Sequence, residues 1–194
     1  KRRLSGISGN LSLTSGPGAP LLEGAIACDE AHWKDFIAVD AVGSASGTIN
    51  APHVELQAAT LPSGDVNAVL DLPLDDLGAA RATVAFTDFD LTPVNGLLPP
   101  SSIGLSGTAS GNLSANGFES FPRIEGDVIP HDVTLTVPYL GTHYEVDGNV
   151  EVRPDGFLMD QWTLFDASGA EARFNGTVLH QNFKDWNLDF GIEI

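Results

Sequence analysis

The feature that most constrains this chain is a period of two. At the C-terminal end Trp186, Leu188, Phe190, Ile192 and Ile194 alternate with Asn187, Asp189, Gly191 and Glu193. An extended strand turns successive side chains to opposite faces, so the first set shares one face and the second set the other. Val133, Leu135 and Val137 alternate with Asp132, Thr134 and Thr136, and Val150 and Val152 with Asn149 and Glu151. Ala68, Leu70, Leu72 and Leu74 repeat the pattern more weakly. Between these runs 21 Gly and 12 Pro break the chain at short intervals. Short alternating runs between such breaks are the mark of half-buried strands. At 84–91 the phase slips: Val84 and Phe86 share one face, then Phe89 and Leu91 the other, which a bulge or bend near Thr87-Asp88 would explain.

Helical signals are few. Thr92-Pro93 fits a helix start and Pro99-Pro100 a stop, which predicts one or two turns over 93–98. Trp33, Phe36 and Ile37 also fit a helical stripe over 29–37; strand is favoured for 34–41 by analogy with 184–194. A Gly, then Asn or Thr, then an aliphatic recurs at Gly9, Gly47, Gly111, Gly148 and Gly176, extended to Ser-Gly-Asn-Leu-Ser at 8–12 and 110–114. The simplest account is a recurring unit that starts a strand. No shift in composition divides the chain, so 1–194 reads as one all-β segment with at most one or two short helices. It opens on Lys1-Arg2-Arg3 without Met and is expected to be a piece of a longer protein.

Composition narrows the partners. Hydrophobic residues make up 42%, enough to bury a core. No apolar run approaches the roughly 20 residues that span a bilayer as a helix. The net charge of −17, from 26 acidic and 9 basic residues, repels a phosphate backbone, so nucleic acid is not an expected partner. Cys28 is alone, which rules out an internal disulfide and a cysteine metal cluster. The five His are scattered, and no phosphate-binding, dinucleotide or nucleophile motif is present. Neither an enzyme, a cofactor nor a metal is expected.

Two quartets, Trp33-Lys34-Asp35-Phe36 and Phe183-Lys184-Asp185-Trp186, first look like chemistry. Adjacent Lys and Asp point to opposite faces of a strand and make no catalytic pair there. They read as one structural phrase used twice, a strand entered through Lys-Asp. An all-β chain with one apolar face must cover it by folding into a sandwich, closing into a barrel, or curling into a trough that accepts a ligand. Patterning alone leaves all three open.

Four phrases, in order, carry a resemblance. They are Pro122 to Gly126 as Pro-x-Ile-x-Gly, the run Pro138-Tyr139-Leu140-Gly141-Thr142 with Tyr144, then Leu164, Asp166 and Gly169, and Asn175-Gly176-Thr177-Val178 with His180 leading into Phe183 to Trp186. From about 103 to 194 the chain resembles the TamB family of the AsmA-like superfamily, in its Bacteroidetes-type form; over 4–102 only the Gly-punctuated rhythm matches. The resemblance implies a long antiparallel-rich sheet curled into a hydrophobic trough, the β-taco. It implies a periplasmic protein tethered to the inner membrane through a segment absent here. The implied role is conducting phospholipids between inner and outer membrane. An overlapping role is assembling outer-membrane β-barrels with an Omp85-type partner. A structural β-sandwich repeat is the remaining alternative. The residues expected to line the trough and meet phospholipid acyl chains are Val133, Leu135, Val137, Val150, Val152, Trp186, Leu188, Phe190 and Ile192. The two unpaired sheet edges invite edge-to-edge pairing of two copies.

Overall fold

The structure, a computed structural model, describes residues 2–15, 18–97, 103–182 and 184–193. The first half contains β1 (Arg2–Ser5), β2 (Ser8–Thr14), β3 (Leu21–Trp33), β4 (Phe36–Thr48), β5 (Ala51–Leu61), β6 (Asp65–Asp71) and β7 (Arg81–Asp90). The second contains β8 (Gly104–Asn116), β9 (Arg123–Val137), β10 (Thr142–Asp147), β11 (Val150–Arg153), β12 (Gly156–Phe165), β13 (Glu171–Gln181) and β14 (Lys184–Glu193). Among the described residues there is no α-helix, only 3-10 turns at Leu77–Ala79 and Thr92–Leu97. The second is the helix expected over 93–98; Pro99-Pro100, its expected stop, lies outside the described residues. Asn95 holds this turn down, since its side-chain amide both donates to Leu105 O and accepts from Leu105 N, each at 2.8 Å.

Among the described residues all strands join one 14-stranded sheet. β1 and β2 follow one another along β3, and β10 and β11 bridge the same two neighbours, β9 and β12. Each of these pairs is one interrupted strand, so the sheet is a meander of twelve rungs in sequence order, antiparallel throughout. Strands this close in sequence need only hairpin turns to pair. Trp33 and Phe36, for example, pair across the two residues Lys34-Asp35, with Lys34 at φ 55°.

The sheet is bent by a series of bulges. Every register shift falls at a residue in the left-handed region: Asp40 (φ 50°) in β4, Asp88 (50°) in β7, Asp132 (49°) in β9, Gln161 (53°) in β12 and Asp185 (50°) in β14. A bulge adds one residue to one strand, bends it and raises its twist. Asp tolerates the left-handed conformation better than most residues, because its short side chain bonds locally. Neighbouring strands satisfy the freed backbone donors: Gln161 N donates to Asn175 Oδ1 at 2.7 Å and Asp88 N to Ser110 Oγ at 3.1 Å. The phase slip read at 84–91 is one of these bulges, and it returns Phe86 and Phe89 to the same face.

Two expectations fail here. Gly9 and Gly148 stand at the starts of β2 and β11, but Gly47 stands at the end of β4 and Gly111 and Gly176 lie inside β8 and β13, so the Gly-led phrase does not regularly start strands. The two aromatic quartets also differ. Lys34-Asp35 is a hairpin turn, whereas Lys184 opens β14 and Asp185 is a bulge residue; Phe183 lies outside the described residues.

Candidate ligand-binding groove

Residues paired directly across an antiparallel ladder share a face. From β9, Val133 pairs with Val146, which pairs with Leu164; Leu135 pairs with Tyr144. Val150 and Val152 pair with Met159 and Phe157, then Phe157 with Val178, and Trp162 with Phe174. Phe174, Gly176 and Val178 pair with Ile192, Phe190 and Leu188. In the other direction Val128 pairs with Gly111, Gly111 with Phe86, Phe86 with Val66, and Leu56 with Gly43. One apolar face therefore runs unbroken across the sheet. The opposite face carries Glu55, Asp65, Asp71, Glu125, Asp127, Glu145, Glu151, Asp189 and Glu193 by the same registers.

The apolar face is open. Its packed centre is small, with Val133, Val146 and Leu164 buried and Leu91, Leu105, Leu135, Tyr144, Trp162 and Phe174 against them. Many large apolar side chains elsewhere are exposed, among them Leu11 at 69%, Ile26 at 51% and Ile192 at 61%. The accessible surface is 12208 Å², where a compact monomer of this mass has about 8,800 Å². The face also curls inward. β4 and β7 are separated by β5 and β6, which in a flat sheet puts their side chains about 14 Å apart. Yet Phe36 and Phe89 stack with centroids 6.1 Å apart.

Glycines keep this face shallow. A Cβ on Gly43 would lie 2.7 Å from Leu56 Cδ2, and one on Gly111 2.8 Å from the Phe86 ring. Large side chains thus lie flat across a glycine on the next strand. Around Gly9, Gly24 and Gly43 this leaves a groove of about 490 Å³, walled by Ile7, Leu11, Ile26, Val54 and Leu56. The C-terminal half is different, for there rings fill the face. Phe174 contacts Trp162 at 6.1 Å and Phe190 at 5.2 Å, and Phe157 stacks on Trp186 at 6.5 Å. His180, buried beside them, meets Trp186 edge-on at 5.1 Å.

The expected lining residues lie on this face, Trp186 by its stack on Phe157 and the others by register. Val133 and Val152 are buried and form its floor, while Leu135, Val137 and Val150 are half-buried. Trp186, Phe190 and Ile192 are exposed at its C-terminal margin. Leu188 sits in register between them, but its side chain, like the whole of Ile194, lies outside the described residues. The sequence reading missed the N-terminal groove, whose signal was present: Gly9, Leu11, Gly24 and Ile26 also alternate, with glycine in apolar positions.

The polar face holds ion pairs in solvent. His53 Nδ1 lies 2.7 Å from Asp71 Oδ1 and its Nε2 3.4 Å from Glu55, and these two acceptors, Asp71 first, raise the imidazole above its ordinary pKa. The Arg153 guanidinium, bonded to Glu151 at 2.8 Å, lowers the Glu151 carboxyl. Asp166 is lowered by the Ser168 hydroxyl and by backbone N–H groups of its turn. Among the described residues no group of His, Cys, Asp or Glu is placed to hold a metal ion.

These features define a class, an antiparallel β-meander with one continuous, largely open apolar face. The chain matches no family model, no curated protein and no solved structure.

Proposed function

We propose that this chain is a periplasmic segment of a conduit that shields phospholipid acyl chains between the inner and outer membranes. The observation that carries the reading is the apolar face itself, continuous across twelve rungs and open outside its small packed centre. The resemblance to the TamB family supports the same role. Exposing a 16-carbon chain to water costs on the order of 10 kcal/mol, at about 0.8 kcal/mol per CH₂. A shallow, continuous lining offsets that cost at every point without a deep trap. Headgroups would stay in water at the open side, away from the acidic outer face.

The test is photo-crosslinking in cells, with native mass spectrometry of the purified chain. A photoreactive residue at Phe190 or Ile192 should capture phospholipid, and one at Asp189 or Glu193 should not. Capture from 189 and 193 alone would refute the conduit. The second reading is an outer-membrane assembly module working with an Omp85-type partner, and it is favoured by exposed apolar side chains that a precursor strand could cover, such as Leu11 and Ile192. It requires capture of unfolded barrel strands, with no lipid on the apolar face.

A further inference from the structure

Charge is distributed unevenly around the apolar face. One row across it, from β4 to β9, reads Ala45, Val54, Leu70, Ala82, Ala115 and Ile124. The next runs from Gly43 through Leu56, Ala68, Val84 and Leu113 to Gly126. Neither row holds a charged side chain. Arginines on the outer face are set against acids: Arg81 lies opposite Asp71, Arg173 opposite Glu193, and Arg153 bonds Glu151 at 2.8 Å.

The strand ends border the apolar face on both sides, and their turns are acidic. Asp35 and Asp166 stand at one margin; Asp75, Asp76, Glu119 and Asp155 stand at the other. The Asp76 and Glu119 carboxylates close on one point, since a Cβ on Gly78 would lie 3.1 and 3.2 Å from them. Among the described turn residues the one cation is Lys34, whose ammonium lies 5.7 Å from the Trp33 ring centroid. The chain as a whole carries −17, so the field behind both margins is negative as well.

Resting on the conduit reading above, we infer that the face selects its lipid by headgroup charge. It takes phospholipids whose headgroup is net neutral and ends in an ammonium, as in ethanolamine, over those with a net negative headgroup, as in glycerol. The ammonium turns toward the carboxylates at the margins while the acyl chains lie on the uncharged rows between them. An anionic headgroup meets the same carboxylates with only Lys34 among the turns to offset them. One carboxylate about 8 Å from a net charge in water changes binding about twofold at low salt, so three around a headgroup give a preference of about tenfold.

The test offers the intact chain vesicles of equimolar phosphatidylethanolamine and phosphatidylglycerol with the same diazirine-bearing acyl chain, so both lipids compete on one surface. After illumination the two adducts are separated by mass. The ethanolamine adduct should exceed the glycerol adduct about tenfold at about 10 mM salt, where charges act over about 30 Å, and approach parity at about 1 M, where they act over about 3 Å. Asp35→Lys with Asp75→Lys reverses one exposed carboxylate at each margin and should lower the low-salt ratio about threefold. The same reversal on the outer face, Glu125→Lys with Asp127→Lys, should lower it less. Equal yields at low salt, a ratio indifferent to salt, or an outer-face pair as effective as the margin pair would overturn this proposal and leave the conduit reading standing. No adduct with either lipid would overturn both.

Discussion

Gly176 tests whether glycines set the depth of the apolar face. A Cβ there would lie 2.6 Å from Phe190 Cδ1 and 2.7 and 2.9 Å from Phe174 Cζ and Cε1. Carbon atoms prefer about 3.5–4.0 Å, so Gly176→Val must push both rings outward by about 1 Å. Overpacking costs about 1–3 kcal/mol, and two displaced rings place it at the upper end. The gain in strand propensity offsets about 1 kcal/mol. The net expectation is a loss of about 2 kcal/mol, or a fall of about 1 M in the urea midpoint at a slope near 2 kcal/mol/M. Gly104→Val is the control. Its Cβ would meet only Thr136 Cβ at an ordinary 3.5 Å, so propensity alone should leave the protein equal or slightly more stable. Urea titration followed by tryptophan fluorescence reads both variants, with Trp162 6.1 Å from the Phe174 ring. If both variants shift the midpoint in the same direction, glycine is there for strand geometry alone and the argument fails.

Leu164→Ala, at the packed centre, should cost about 2–4 kcal/mol in the same titration. Ile192→Asp, at a position 61% exposed, should leave stability within about 0.5 kcal/mol yet abolish lipid capture from a crosslinker at 190. Gln161→Gly should stabilise the chain by about 0.5–1 kcal/mol, because a side chain at φ 53° is strained there and glycine is not. The His53 imidazole should titrate above its ordinary value by NMR, and Asp71→Asn should bring it back down. Since its folded-state pKa is raised, its contribution is full below about pH 6.5 and fades as pH rises through the raised value. A melting temperature insensitive to Asp71→Asn at every pH would place that pair outside the stability of the fold.

The strands were legible because alternation survives in single segments: β9, β11 and β14 follow the runs around Val133, Val150 and Leu188. The single curled sheet was implied by the family resemblance, and the structure has it, but alternation alone did not give it. Choosing between sandwich, barrel and trough depends on which strands neighbour one another, and that is settled by pairing rather than by any one segment. The bulge at Asp88 was legible because two aromatics, Phe86 and Phe89, stand three apart across it. Those at Asp40 and Asp132 were hidden because an isolated Asp in a strand also reads as a solvent-facing residue. Of the groove, the C-terminal margin was readable from Trp186, Phe190 and Ile192. The N-terminal hollow was not, since glycine carries no hydropathy signal and its role appears only when Leu11 or Leu56 is seen lying across it.

The meander order has a mechanical consequence. The first and last strands lie at opposite margins of the sheet, so tension applied at the two ends acts across the strands, along the direction of the interstrand hydrogen bonds. Load in that direction peels one hydrogen-bonded pair at a time, where tension along the strands would have to break a whole ladder at once. Each hairpin released lengthens the chain by two strands and leaves the remainder with the same topology. A sheet ordered this way yields in steps from its margins and can re-form from whichever hairpins remain.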